Sequence, residues 1–130
     1  MNNLFQQGLF QLHSGNLSHF KIECDTLTLD DWETLAWLIA QNIYFTEVIG
    51  IEQGGIPLAK ALEKYRGHRD ICKIILIVDD VLTTGKSMEK AKEQLKEVWW
   101  DVIGIVVFAR GECPGWIYPI FQMQESFNQG

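Results

Sequence analysis

Two adjacent acids, Asp79 and Asp80, close an apolar run in the stretch IILIVDDVLTTGKSM, residues 74–88. A turn of small residues follows, Thr83-Thr84-Gly85, and Lys86-Ser87 then open a helical pattern. The first amides of a helix lack internal partners and carry the positive end of its dipole, so an anion is their natural ligand. Gly85 lets backbone and oxyanion approach closely, and Thr83, Thr84 and Ser87 can add hydroxyl donors. Carboxylates beside a bound phosphate repel it unless they face something else, and vicinal sugar hydroxyls or a metal ion would suit them. A phosphate with a diol at one side of it describes a ribose 5-phosphate. A second small-residue loop, Glu52-Gln53-Gly54-Gly55, leads into Ile56-Pro57. Consecutive glycines expose backbone amides, so a second anion fits there. Two anion sites flanking a ribose suggest a sugar phosphorylated at both ends.

Both loops need strands to hold them. Residues 3–11 could form a short helix, and Phe20 to Cys24 reads as a strand. Thr28 and Asp31 resemble a capping box, and Trp32, Leu35, Ala36 and Ile39 recur at helical spacing, which predicts a helix over 29–41. YFTEVIGI, residues 44–51, is the next strand, and IPLAKALEKY is a helix that ends near Gly67. KIILIVDD, residues 73–80, is the most apolar strand, as expected of one buried on both faces of a parallel sheet. Met88, Ala91, Leu95 and Val98 mark one face of the following helix, and VIGIVVFA, residues 102–109, is a further buried strand. GWIYPIF reads as an edge strand, because Pro119 cannot donate to a ladder. Alternating strands and helices predict a parallel α/β sheet, whose ligands sit beyond the carboxyl ends of its strands. That architecture brings both loops into one cleft.

The composition sets outer limits. A chain of 130 residues makes one domain, and 47% hydrophobic with 22% charged residues is ordinary for a soluble globule. The net charge of -6 argues against general affinity for nucleic acid or anionic membrane. No apolar run approaches the ~20 residues of a membrane span, and the start MNNLFQQGLF lacks the features of a signal peptide. Cys24, Cys72 and Cys113 are odd in number and form no C-x-x-C, which reads as reduced thiols in a cytoplasmic protein.

Asp79-Asp80-Val81-Leu82-Thr83-Thr84-Gly85-Lys86-Ser87, with its apolar lead-in, resembles the phosphoribosyl-pyrophosphate (PRPP) motif of the type I phosphoribosyltransferases. GIEQGGIPLAKAL is similar to that family's pyrophosphate loop. LHSGNLSHFKIECD resembles the N-terminal hood of the orotate phosphoribosyltransferase branch, and IVVFARGE that branch's last core strand with its following arginine. The resemblance runs over residues 12–112. It implies a Rossmann-like parallel-sheet core over 28–110, with 1–27 and 111–130 as hood and edge elements of the same single domain. Asp79 and Asp80 would hold the ribose hydroxyls and serve catalysis. Val81, Leu82, Thr83, Thr84, Gly85, Lys86 and Ser87 would wrap the 5-phosphate. Glu52, Gln53, Gly54 and Gly55 would meet the pyrophosphate, through a strained or cis peptide. Phe20, Lys21 and Arg110 would meet the base. Mg2+ would arrive with PRPP, near Asp79 and Asp80 and without direct protein ligands. The implied partners are PRPP and a nucleobase or nucleoside monophosphate, in a cytoplasmic homodimer that engages neither nucleic acid nor membrane.

One departure bears on activity. Family members usually insert a long hairpin that carries basic residues between the helix after the pyrophosphate loop and the PRPP strand. Here only seven residues, RGHRDIC, separate Tyr65 from Lys73. Two functions follow as expectations: a phosphoribosyltransferase of pyrimidine or orotate type, or a lidless sensor that binds PRPP or a nucleotide without turnover. An interaction protein that keeps only the fold is disfavoured by the intact Asp-Asp and Thr-Thr-Gly. Simpler roles stand beside the functional ones: Arg110 paired with Glu112, Lys21 on a solvated strand, Gly54-Gly55 as a plain turn, and Lys86 as an exposed lysine. His13 stands where the branch carries a lysine, and His13, His19 and His68 read as surface residues. Trp99, Trp100 and Trp116 read as core or subunit interface.

Overall fold

The computed structural model describes residues 27–68, 73–95 and 100–122. The expected helix over 3–11, the strand over Phe20–Cys24 and the hood residues before Leu27 lie outside the described residues. Among the described residues four strands form one sheet in sequence order, every neighbouring pair parallel: β1 (Glu47–Gly50), β2 (Ile74–Leu82), β3 (Asp101–Ala109) and β4 (Ile117–Gln122). Helices α1 (Leu29–Asn42) and α2 (Ile56–Leu62, continued by one 3-10 turn, Glu63–Tyr65) flank β1 in the chain. Helix α3 (Lys86–Glu93) joins β2 to β3. The parallel α/β sheet is the one expected, and none of the described helices is long and apolar enough to cross a membrane.

Each face of the sheet carries its own core because side chains alternate along a strand. Leu76, Val78, Ile105 and Val107 point one way, against Trp32, Leu35 and Ile39 of α1 and Leu58 and Leu62 of α2. Ile75, Ile77 and Val106 point the other way, against Met88 of α3 and Ile117. Each such side chain contributes about 1.5–3 kcal/mol on burial. Helix α1 starts where the sequence places it: the Asp31 amide donates to Thr28 Oγ1 at 3.1 Å, and the Thr28 amide donates back to Asp31 Oδ2 at 2.9 Å.

Three boundaries differ from the sequence expectation. β1 begins at Glu47, because the three residues before it are used as anchors. Phe45 is buried in the core, Thr46 bonds through amide and hydroxyl to Ile74, and the Tyr44 ring lies against Gly67. β2 runs two residues past the acids, because Val81 and Leu82 still pair with Phe108 and Ala109 of β3. α3 ends at Glu93, with Leu95 and Trp100 both packed against the same core and Val98 outside the described residues. Among the described residues β4 is an edge strand as expected, with Pro119 within it.

The short connection after α2 is tied to the amino-terminal end of the sheet. The Arg66 guanidinium donates to the Thr46 carbonyl at 2.9 Å and pairs with Glu47 at 3.1 Å and Glu63 at 3.0 Å. The Gly67 amide donates to the Phe45 carbonyl, and Tyr44 Oη to the His68 carbonyl. Arg66 and His68 thus lie away from the loops that follow β1 and β2. Cys113 is buried and unpaired, and burial pushes its thiol pKa up.

Candidate active site

The carboxyl ends of β1 and β2 carry both loops singled out in the sequence. Asp79 and Asp80 sit in the last paired stretch of β2 and are half-buried. Each carboxylate accepts from the next backbone amide: Asp80 N–H to Asp79 Oδ1 at 2.8 Å, and Val81 N–H to Asp80 Oδ1 at 2.7 Å. Burial, and then the neighbouring Asp80 side chain, push the Asp79 carboxyl up to about 7, against the partial relief of the Asp80 amide. Two acids this close resist joint ionisation without a compensating donor or cation. Sugar hydroxyls and a hard cation both supply that compensation.

The loop after β1 leans directly on this pair. The Ile51 amide donates to the Val78 carbonyl at 2.9 Å, and the chain then turns through Glu52–Gly55, closed by the Gly55 amide on the Ile51 carbonyl at 2.7 Å. The Glu52–Gln53 peptide is cis. A methyl group on Gly54 would fall on the carboxylate of Asp80. The absence of a side chain at Gly54 therefore lets the two loops meet. Glu52 and Gln53 are exposed above them.

On the other side of the acids the chain enters α3. Gly85 adopts the left-handed conformation, φ 81°, which favours glycine. The Lys86 amide donates to Thr84 Oγ1 at 3.3 Å, and the Gly85 carbonyl accepts from Glu89. Thr83, Thr84, Lys86 and Ser87 are exposed around this turn. Leu82 buries its side chain in one core and Val81 packs against the other, so either could join a phosphate cradle only through its backbone.

Arg110 is the first residue beyond β3. Its amide donates to the Leu82 carbonyl at 3.1 Å, which sets it beside the Thr83–Ser87 turn. Its side chain makes no ion pair or hydrogen bond among the described residues, and the pairing with Glu112 is not formed. Gln122 went unnoticed in the sequence: its side-chain amide donates to the Ala109 and Gly111 carbonyls on either side of Arg110. A glutamine ending an edge strand carries no motif that could have signalled this. Phe20, Lys21, His13 and His19 lie outside the described residues. Trp100 and Trp116 pack against the α3 core, and Trp116 donates to Glu89 at 2.8 Å, while Trp99 is outside the described residues.

Comparison with known proteins agrees with this geometry. The phosphoribosyl transferase domain matches residues 71–115. An orotate phosphoribosyltransferase of Pyrobaculum aerophilum is 29% identical over 155 positions, covering 91% of this chain and 80% of that protein. Another from Pyrobaculum islandicum is 30% identical over 134 positions, covering 82% and 69%. Both alignments are longer than this 130-residue chain, so these relatives carry inserted segments that it lacks. The fold is shared with the solved orotate phosphoribosyltransferase of Aeropyrum pernix, with a TM-score of 0.62 and 23% identity over 93% of this chain and 90% of that one. A Neisseria gonorrhoeae protein solved with bound ppGpp shares it at a TM-score of 0.56 and 16% identity, over 75% and 82%. The chain belongs to the type I phosphoribosyltransferase family, as a shortened member with orotate phosphoribosyltransferases among its relatives.

Proposed function

We propose that this protein binds PRPP with magnesium and transfers the phosphoribosyl group between pyrophosphate and a pyrimidine base of orotate type. The observation that supports this reading is the close approach of Gly54 to Asp80, which joins the loop that would meet pyrophosphate to the acids that would hold the ribose diol. In the forward direction a ring-nitrogen lone pair forms a bond to the anomeric carbon. The bond from that carbon to the diphosphate breaks, and the diphosphate leaves with its electron pair. Positive charge gathers on the ribose, and an ionised carboxylate at Asp79 or Asp80 would stabilise it where it develops. Thr83, Thr84, Gly85, Lys86 and Ser87, with the backbone of Val81 and Leu82, would hold the 5-phosphate at the start of α3. Gln53, Gly54 and Gly55 would offer their amides to the pyrophosphate, with Glu52 at the rim. Two adjacent carboxylates that resist joint ionisation are hard oxygen donors of the kind magnesium takes. Magnesium, when bound with the substrate, neutralises charge on the leaving diphosphate. Arg110, Phe20 and Lys21 would complete the base side, and the names of the relatives support an orotate-like acceptor. We propose further a single domain with an N-terminal hood, acting as a cytoplasmic homodimer.

A second reading is a PRPP- or nucleotide-binding regulator without turnover. It is favoured by Arg66, the one described arginine of the short connection, which is committed to Glu47, Glu63 and Thr46 at the far end of the sheet. That residue brings no cation to a leaving pyrophosphate. Pyrophosphate release from PRPP and magnesium, measured with a panel of pyrimidine and purine bases, separates the readings. Turnover with orotate supports the enzyme; saturable PRPP binding with no turnover on any base supports the regulator.

A further inference from the structure

We propose that Gln122 is a positioning residue for Arg110 and thereby sets the affinity for an anionic base. The inference rests on the phosphoribosyltransferase reading of the site. β3 ends at Ala109, and at Arg110 the chain leaves the sheet to return as β4. A strand end of this kind frays unless its backbone groups are taken up. Here they are taken up on both sides of Arg110. Its amide donates to the Leu82 carbonyl at 3.1 Å, on the β2 side. On the β4 side, Gln122 Nε2 donates to the Ala109 carbonyl at 3.4 Å and to the Gly111 carbonyl at 2.8 Å. A side-chain amide has two N–H bonds, one for each of these carbonyls.

The staple is held firmly at its own end. Gln122 pairs with Ala109 in the parallel ladder, and the adjacent pair, Phe108 and Phe121, stacks its rings at 5.3 Å. Gln122 is half-buried, whereas the Arg110 side chain is exposed and forms no ion pair among the described residues. A fixed backbone under an uncommitted guanidinium suits a residue kept for a ligand, because the ordering cost is met before binding. The hydrogen bond from its amide to the Leu82 carbonyl places Arg110 beside the turn that would hold the 5-phosphate. A base carrying a carboxylate offers the planar, bidentate partner that a guanidinium matches and an ammonium does not.

The test compares two probes by titration calorimetry on the full chain. Orotidine 5′-monophosphate carries the anionic base, and ribose 5-phosphate lacks it. Gln122→Leu is expected to weaken the nucleotide by about tenfold, the loss of one to two hydrogen bonds. Ribose 5-phosphate affinity is expected to stay within about twofold. In an Arg110→Ala background, Gln122→Leu is expected to add nothing, as two groups acting through one contact should behave. Gln122→Glu, which turns an acceptor toward the two carbonyls, serves as the second variant should Gln122→Leu fail to fold, with the same selective loss expected. The inference is overturned if the nucleotide binds the variants as it binds the parent, or if both probes weaken alike. An undiminished effect of Gln122→Leu without Arg110 also overturns it. If the parent protein binds neither probe, the reading of the site fails and this inference falls with it; binding of ribose 5-phosphate with no selective loss overturns this inference alone.

Discussion

Replacing Gly54 with alanine places a methyl group where the Asp80 carboxylate stands. The new carbon would lie 2.5 Å from Oδ1 and closer still to the other two carboxylate atoms, whereas ordinary contact begins at 3.4 Å. The carboxylate must therefore retreat by about 1 Å, a displacement that can cost about 100-fold in rate at a reacting centre. Gly85 is the only described glycine with positive φ, so the backbone at Gly54 accepts alanine without strain. The clashing group is the end of a side chain, so the fold should survive while Asp80 gives up its 2.7 Å bond to the Val81 amide. A hydrogen bond from a ribose hydroxyl to a charged carboxylate is worth about 1.5–3 kcal/mol. PRPP affinity should thus fall by roughly 10- to 100-fold. Titration calorimetry with PRPP and magnesium reads this, beside a thermal melt to confirm folding. The same substitution in an Asp80→Ala background should add little further. Parent-like PRPP affinity in a folded Gly54→Ala protein would show that Asp80 does not hold the ribose, as would an equal loss in the absence of Asp80.

Three further outcomes are expected. Asp79 holds its proton up to about 7 in the folded protein against 3.8 in the unfolded chain, so the folded state binds more protons between those values. Stability of the ligand-free protein should then fall as pH rises from about 4 to about 7; Asp79→Asn should flatten that slope in melts across the range, and an unchanged slope would contradict the assignment. Gly104→Ala puts a methyl group 2.8 Å from Trp116 Cζ3, 2.9 Å from Ile117 Cγ1 and 3.0 Å from Met88 Cε. Overpacking of this kind costs about 1–3 kcal/mol, and a urea midpoint equal to the parent's would show that the core yields freely. Arg66→Ala removes the bonds that tie the short connection to Thr46 and Glu47, and should lower stability by about 1 kcal/mol with no change in PRPP affinity. A loss of PRPP binding would instead bring that turn to the site.

The parts legible in the sequence were those set by local pattern. The apolar runs of β2 and β3 and the capped, periodic α1 were found to within a few residues, because burial on two faces and a capping box leave unambiguous marks. The placement of Asp79-Asp80 at a strand end and of Thr83-Thr84-Gly85 at a helix start was legible for a similar reason, since paired acids and a small-residue turn interrupt the apolar run. Strand ends were less so. β2 reaches Leu82 because Phe108, Ala109 and Arg110 extend the ladder from another strand, and β1 starts late because Tyr44 and Phe45 are spent on the turn at Gly67. Two contacts that define the site were invisible. Asp80 meets Gly54 across 26 residues, and Gln122 closes from an edge strand on the Ala109 and Gly111 carbonyls that flank Arg110; neither leaves a periodicity or a motif. The role of Arg66 was equally hidden, because its partners Thr46 and Glu47 precede it by about twenty residues.

Asp79 and Asp80 together are expected to grip the ribose of PRPP. Calorimetric titration of PRPP with magnesium into the parent protein and into the Asp79→Asn, Asp80→Asn double variant tests it directly. Saturable binding to the parent is expected, and none to a double variant that still melts cooperatively. Absence of binding to the parent, or equal binding to both, would contradict it.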